Sequence, residues 1–123
     1  MYFVYILRCV DSSLYCGYTT DVAHRLRAHT GRIKGGAKYT KTHRPVRVER
    51  VWKCCGKSDA LKLETLFKKL EKARKEELIR DPGMICSFLG EKLDPSRFEL
   101  APEYETTISE ATDGDMESVA RVP

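Results

Sequence analysis

A few side chains in this chain have types and spacings suited to work on a phosphate. Tyr5 and Tyr15 lie about ten residues apart in two short segments, Phe3-Val4-Tyr5 and Tyr15-Cys16-Gly17. Arg25 follows, with His29 four residues later, and then Glu64 within an apolar stretch. An arginine can hold a phosphate through a bidentate contact and take up charge that develops in a transition state. A carboxylate turned towards a core is costly unless it is paired or binds a metal. Two tyrosines, a cation and one carboxylate are thus parts from which single-metal phosphodiester chemistry can be built. Each also has a plainer reading. Tyrosine suits strands, Arg25 and His29 at i, i+4 can form a solvated helix face, and Glu64 can pair with Lys68 one turn on.

These residues need elements to position them. Residues 2–9 form an apolar run rich in aromatic and branched side chains, which predicts a central strand. Asp11-Ser12-Ser13 supplies turn chemistry, and Leu14–Thr19 reads as the return strand of a hairpin. Alternation puts Phe3, Tyr5 and Leu7 on one face and Val4 and Ile6 on the other. Tyr5 and Tyr15 can then meet across the hairpin. Gly17 inside a strand marks close approach of a ligand or another backbone, or a bulge. Thr20 or Asp21 can cap a helix over about 21–30. Residues 31–44 hold three glycines and five Lys or Arg residues without a period, which reads as a long loop. Within it Arg32, Lys34, Lys38, Lys41 and Arg44, with Tyr39 between the charges, can contact a nucleic-acid backbone and stack on a base; a solvated charge run is the alternative. A strand over Val46–Cys54 follows. Ser58 or Asp59 then starts a helix to about Leu70 that continues, with a break, to Ile79. Its apolar arc is Ala60, Leu61, Leu63, Leu66, Phe67 and Leu70, with Glu64 inside it.

The composition narrows the class. A chain of 123 residues is one domain by length, with room for a tail. The net charge of +4 conceals an asymmetry. Residues 1–80 hold 19 Lys+Arg against 8 Asp+Glu, a net of +11; residues 81–123 hold 3 against 10, a net of −7. A basic body suits a polyanion, because each neutralised phosphate releases counterions, although a merely soluble surface can be as basic. Five cysteines, two of them adjacent and none in a C-x-x-C, favour neither a disulfide framework nor a zinc site. They fit a reducing, cytoplasmic setting. The amino terminus does not read as a signal peptide, and no apolar stretch approaches the roughly 20 residues that span a bilayer. Beyond Pro82 a weakly apolar piece, Met84–Leu89, leads into an acidic segment expected to be disordered or loosely docked from about residue 101.

Taken in order, these positions resemble the GIY-YIG nuclease superfamily, in particular its small stand-alone bacterial proteins, and are similar to the amino-terminal nuclease domain of UvrC. The resemblance covers roughly residues 2–80. Phe3-Val4-Tyr5 stands for Gly-Ile-Tyr and Tyr15-Cys16-Gly17 for Tyr-Ile-Gly. Arg25 and His29 match the family's helix arginine and the histidine after it. Gly36-Ala37-Lys38-Tyr39-Thr40 and Arg44-Pro45-Val46 look like the loop and third strand of the small group. Glu64 matches the metal-binding glutamate, followed by Lys68-Lys69-Leu70. Phe3 and Cys16 depart from the two signatures, and the chain has no asparagine, where several family nucleases have a late one.

The resemblance implies an α+β fold, a three-stranded antiparallel sheet flanked by helices, over residues 1–80. Residues 81–123 then form an acidic carboxy-terminal extension, flexible from about 101. It also implies a structure- or lesion-directed endonuclease of DNA repair or recombination. Glu64 would hold one Mg²⁺ or Mn²⁺, Arg25 and His29 would act at the phosphate, and Tyr5 or Tyr15 would accept a proton from the attacking water. Lys68 would join the loop residues as a nucleic-acid contact. A protein partner or homodimer is compatible with this pattern. Two further readings stand beside it: a non-cleaving nucleic-acid-binding module on the same scaffold, and an accessory subunit whose acidic tail docks on its own basic body or on a partner.

Overall fold

The computed structural model describes residues 1–30 and 42–108. Strands β1 (Tyr2–Cys9) and β2 (Leu14–Thr19) form the expected hairpin, with Tyr5 opposite Gly17 and Leu7 opposite Tyr15. The turn is held by the Asp11 carboxylate, which accepts from the Ser13 amide at 3.1 Å, while Ser12 takes a positive φ of 69°. Helix α1 (Val22–His29) starts at Asp21, whose carboxylate caps the His24 amide at 3.0 Å. Strand β3 (Pro45–Cys54) lies antiparallel to β1 on its other side, with register shifts between Ile6 and Leu7 and between Arg8 and Cys9.

Helix α2 (Lys57–Lys69) begins one residue earlier than the sequence predicts, after Gly56. It stops at Leu70, and extended backbone at Leu70 and Glu71 separates it from α3 (Lys72–Arg80). The predicted break is therefore real, and Leu70 packs partly into the core there. A short helix, α4 (Ile85–Leu89), and two-residue strands β4 (Glu99–Leu100) and β5 (Thr106–Thr107) complete the described chain. The strand order is β2-β1-β3-β4, and β5 also pairs with β3. The expected three-stranded sheet is thus the centre of a larger one, extended along the outer edge of β3.

The period-2 alternation sends side chains into two cores. On one face Val4, Ile6, Cys16, Trp52 and Cys54 pack against Ala60, Leu63 and Phe67 of α2, Leu78 and Ile79 of α3, and Ile85 and Leu89 of α4. On the other, Tyr5, Leu7, Val48 and Val51 meet Val22 and Leu26 of α1, with Ala101 and Ile108. Both helical layers are amphipathic elements hiding one stripe on the sheet.

Two expectations need correction. Leu61 does not belong to the apolar arc; it is 45 % exposed. The buried stripe of α2 runs through Ala60, Leu63 and Phe67, spaced i, i+3, i+7, so Leu61 falls outside it and Glu64 lies at its margin. Residues 101–108 are also firmly docked. The Ala101 amide donates to the Val51 carbonyl at 2.8 Å and the Ile108 amide to that of Val46 at 2.7 Å. Ala101 is 1 % and Ile108 4 % exposed. The edge of β3 offers unpaired backbone groups that an extended chain can satisfy, a long-range pairing that local composition does not reveal. The tail beyond residue 108 lies outside the described residues.

Candidate active site

Three elements bring the predicted residues together. β1 presents Tyr5, β2 presents Tyr15 and Gly17, and the last turn of α1 presents His29. The two tyrosine rings lie diagonally across the hairpin with centroids 6.3 Å apart, and His29 sits edge-on to both, at 5.5 Å from Tyr5 and 5.1 Å from Tyr15. Gly17 makes this close pack possible. A Cβ there would lie 2.6 Å from the Tyr5 hydroxyl oxygen and 3.1 Å from Tyr15 Cε2. The close approach expected at Gly17 is therefore made by the two aromatic rings of the site itself.

The electrostatics follow from burial. His29 is 3 % exposed, and the Tyr5 hydroxyl lies 2.6 Å from its Nε2. Burial, and secondarily the positive charge of Arg25, lower the imidazole to about 4, so it is neutral at neutral pH. Burial also raises Tyr5 above the ordinary phenol range, while a hydrogen bond from Arg25 opposes that shift. The contact is a single hydrogen bond between a neutral phenol and a neutral imidazole, its direction set by the imidazole tautomer. The Tyr5 hydroxyl thus accepts from Arg25 and is hydrogen-bonded to His29. Among the described residues no buried side-chain polar atom lacks a partner.

Glu64 and Lys68 approach from α2. The Lys68 ammonium lies 3.4 Å from Glu64 Oε2 and 5.9 Å from the centroid of the Tyr15 ring. Lys68 therefore connects the carboxylate to the tyrosine pair. The i, i+4 partner of Glu64 that the sequence offered is present, and the pair sits at the site rather than on a remote face. The Glu64 side chain is 14 % exposed and that of Lys68 51 %. Burial and then the Glu64 charge raise the thiol of nearby Cys16, which leaves it a protonated wall of the core.

The donor set can be tested against a metal. Among the described residues no three His, Cys, Asp or Glu side chains cluster as a closed metal cage. One hard carboxylate oxygen beside a polar cluster nevertheless suits Mg²⁺, which keeps several waters and takes only one or two carboxylates along with substrate phosphates. Glu64 fits such an open site. Of the predicted nucleic-acid contacts, Arg32, Lys34, Lys38, Tyr39 and Lys41 lie outside the described residues. Arg44 is exposed, and its carbonyl accepts from the Val10 amide at 2.8 Å beside the hairpin turn. The sequence pointed to Lys68 as a phosphate contact and as the i, i+4 partner of Glu64. Its i, i+4 spacing from Glu64 was the available signal for its second role, whereas its place over Tyr15 depends on how α2 meets the edge of β2.

Residues 1–77 match the GIY-YIG catalytic domain. This chain belongs to the GIY-YIG family, a family of nucleases, which makes nucleic acid its substrate class. Within it the chain is similar to small bacterial proteins called UPF0213. One from Fusobacterium nucleatum is 43 % identical over 81 residues, covering 66 % of this chain and 79 % of the relative. The UPF0213 protein YsiG of Lactococcus lactis is 48 % identical over 81 residues, covering 65 % and 76 %. The solution NMR structure of a UPF0213 protein from Bacillus halodurans is 41 % identical, with a TM-score of 0.43 over 65 % of this chain and 84 % of that one. Among the described residues no helix is long and apolar enough to cross a membrane.

Proposed function

We propose that this protein is a divalent-metal-dependent endonuclease that hydrolyses DNA phosphodiester bonds, directed by DNA structure or lesions in repair or recombination. One observation carries the reading: Tyr5, Tyr15, His29 and Arg25 converge on the sheet where the Glu64–Lys68 pair arrives from α2. Such convergence of polar groups with displaced proton affinities is the mark of a working site.

Glu64 would hold Mg²⁺ or Mn²⁺. The bound ion supplies Lewis-acid stabilisation of the phosphate and leaving group. Arg25 binds the scissile phosphate and neutralises charge that grows in the transition state. Tyr5 is a poor base, because burial disfavours its phenolate, and its hydroxyl is held by His29. Its role is to fix His29 and, through Gly17, the Tyr15 ring. Tyr15, half-buried and with the Lys68 cation over its ring, is the tyrosine that, as its phenolate, would take the proton of the attacking water. The protein works in the cytoplasm, where the buried free thiols Cys9, Cys16 and Cys54 stay reduced.

The test is a cleavage time course on labelled branched, nicked and single-stranded DNA with Mg²⁺ or Mn²⁺. Glu64→Ala and Arg25→Ala should each lower the rate by about a hundredfold or more, the scale of losing a transition-state contact. Tyr15→Phe should lose more activity than Tyr5→Phe. An inert native chain that still binds DNA would favour the binding-module reading, which the Glu64–Lys68 pair supports by satisfying the carboxylate without a metal.

A further inference from the structure

The position of Lys68 carries one more step. Its ammonium is within ion-pair distance of Glu64 Oε2 and also stands over the ring of Tyr15. The Glu64 side chain is only 14 % exposed, and a carboxylate with so little access to water is stabilised by a neighbouring cation. The Lys68 side chain is about half exposed and has four rotatable carbons, so it can leave without disturbing the core. Two cations cannot share one carboxylate without repulsion.

We propose that Lys68 is an exchangeable counter-ion of Glu64, a positioning residue that neutralises the carboxylate until a divalent cation replaces it. On displacement its charge remains beside Tyr15, facing the phosphate that arrives with the substrate. Lys68 therefore sets the metal affinity of the free protein and couples metal binding to DNA binding. This inference rests on reading Glu64 as the metal carboxylate.

The experiment titrates Mn²⁺ into the full chain at low ionic strength and follows loss of the free-ion EPR signal. Lys68→Met keeps the stem over the ring but removes the charge. It should bind Mn²⁺ about two- to fivefold more tightly than the native chain, the scale of a half-exposed ion pair. Lys68→Arg should stay near the native affinity, because the competing charge remains. In a second arm, Ca²⁺ should strengthen DNA binding of the native chain more than that of Lys68→Met. Unchanged or weaker Mn²⁺ binding by Lys68→Met, with binding abolished in Glu64→Gln, overturns the exchange alone. Native-like Mn²⁺ binding by Glu64→Gln overturns the assignment of Glu64 and the exchange with it.

Discussion

Burial of His29 constrains the protein's response to pH as well as the site's geometry. The imidazole titrates near 4 in the folded chain against an ordinary 6.5, chiefly through desolvation. Between those values the unfolded chain binds more protons than the folded one, so stability rises with pH. The contribution is complete above about pH 6.5 and is lost as pH falls towards 4, on the order of 3 kcal/mol in all. The carboxylates of Asp11, Asp59, Glu76 and Asp94 sit below their ordinary values, so their losses come at lower pH. The interval from about pH 5 to 6.5 therefore lies above those carboxylate losses and within that of His29. Urea midpoints across it should fall with acidity more steeply in the native chain than in His29→Gln, whose amide can still hydrogen-bond Tyr5. Equal slopes in the two proteins would count against a buried neutral His29.

At the scale of elements, the sheet is held at both ends by arginines. Arg8 on β1 forks onto Glu76 of α3 through two contacts of 2.5 Å and reaches Glu49 of β3 at 2.8 Å. It thereby ties α3 to the strands. Arg50 on β3 donates to the Ile79 carbonyl near the end of α3 at 2.8 Å and pairs with Glu105 at 3.1 Å. Arg97 grips Asp59 at the start of α2. The segment from Asp94 to Ile108 thus acts as a strap along β3, and its Tyr104 ring packs edge-on to Phe3 at 5.6 Å. A chain ending at Leu93 would lose Ala101 and Ile108 from the core that also holds Tyr5, and would expose the edge of β3. Such an edge is a template for another chain. The shortened protein should be less stable and should self-associate with rising concentration in analytical ultracentrifugation. A monomer of native stability would show that the strap is incidental.

Across the whole molecule, charge is divided between a basic body and an acidic end. Part of the acidic end already neutralises the body, through Glu105 to Arg50 and Glu99 to Lys53 at 3.7 Å. Both pairs lie on the segment that packs along β3. DNA binding by a body of this charge should weaken steeply with salt. In log–log titrations Arg44→Ala should reduce the slope by about 1 if that residue holds a phosphate; an unchanged slope would remove it from the interface. Much of this protein was legible before folding. The alternation in residues 2–9 fixed which of Phe3, Tyr5 and Leu7 share a face, the Asp21 cap and the break near Leu70 were visible, and the family followed from Tyr5, Tyr15, Arg25, His29 and Glu64 in order. Local spacing determines such features, because strand and helix periods are set by the backbone. Three features needed the tertiary structure: the hydrogen bond between Tyr5 and His29, the placing of Lys68 over Tyr15, and the docking of residues 94–108 on β3. Each joins groups that are distant in sequence, and burial and cross-sheet packing, which decide them, are properties of the assembled chain.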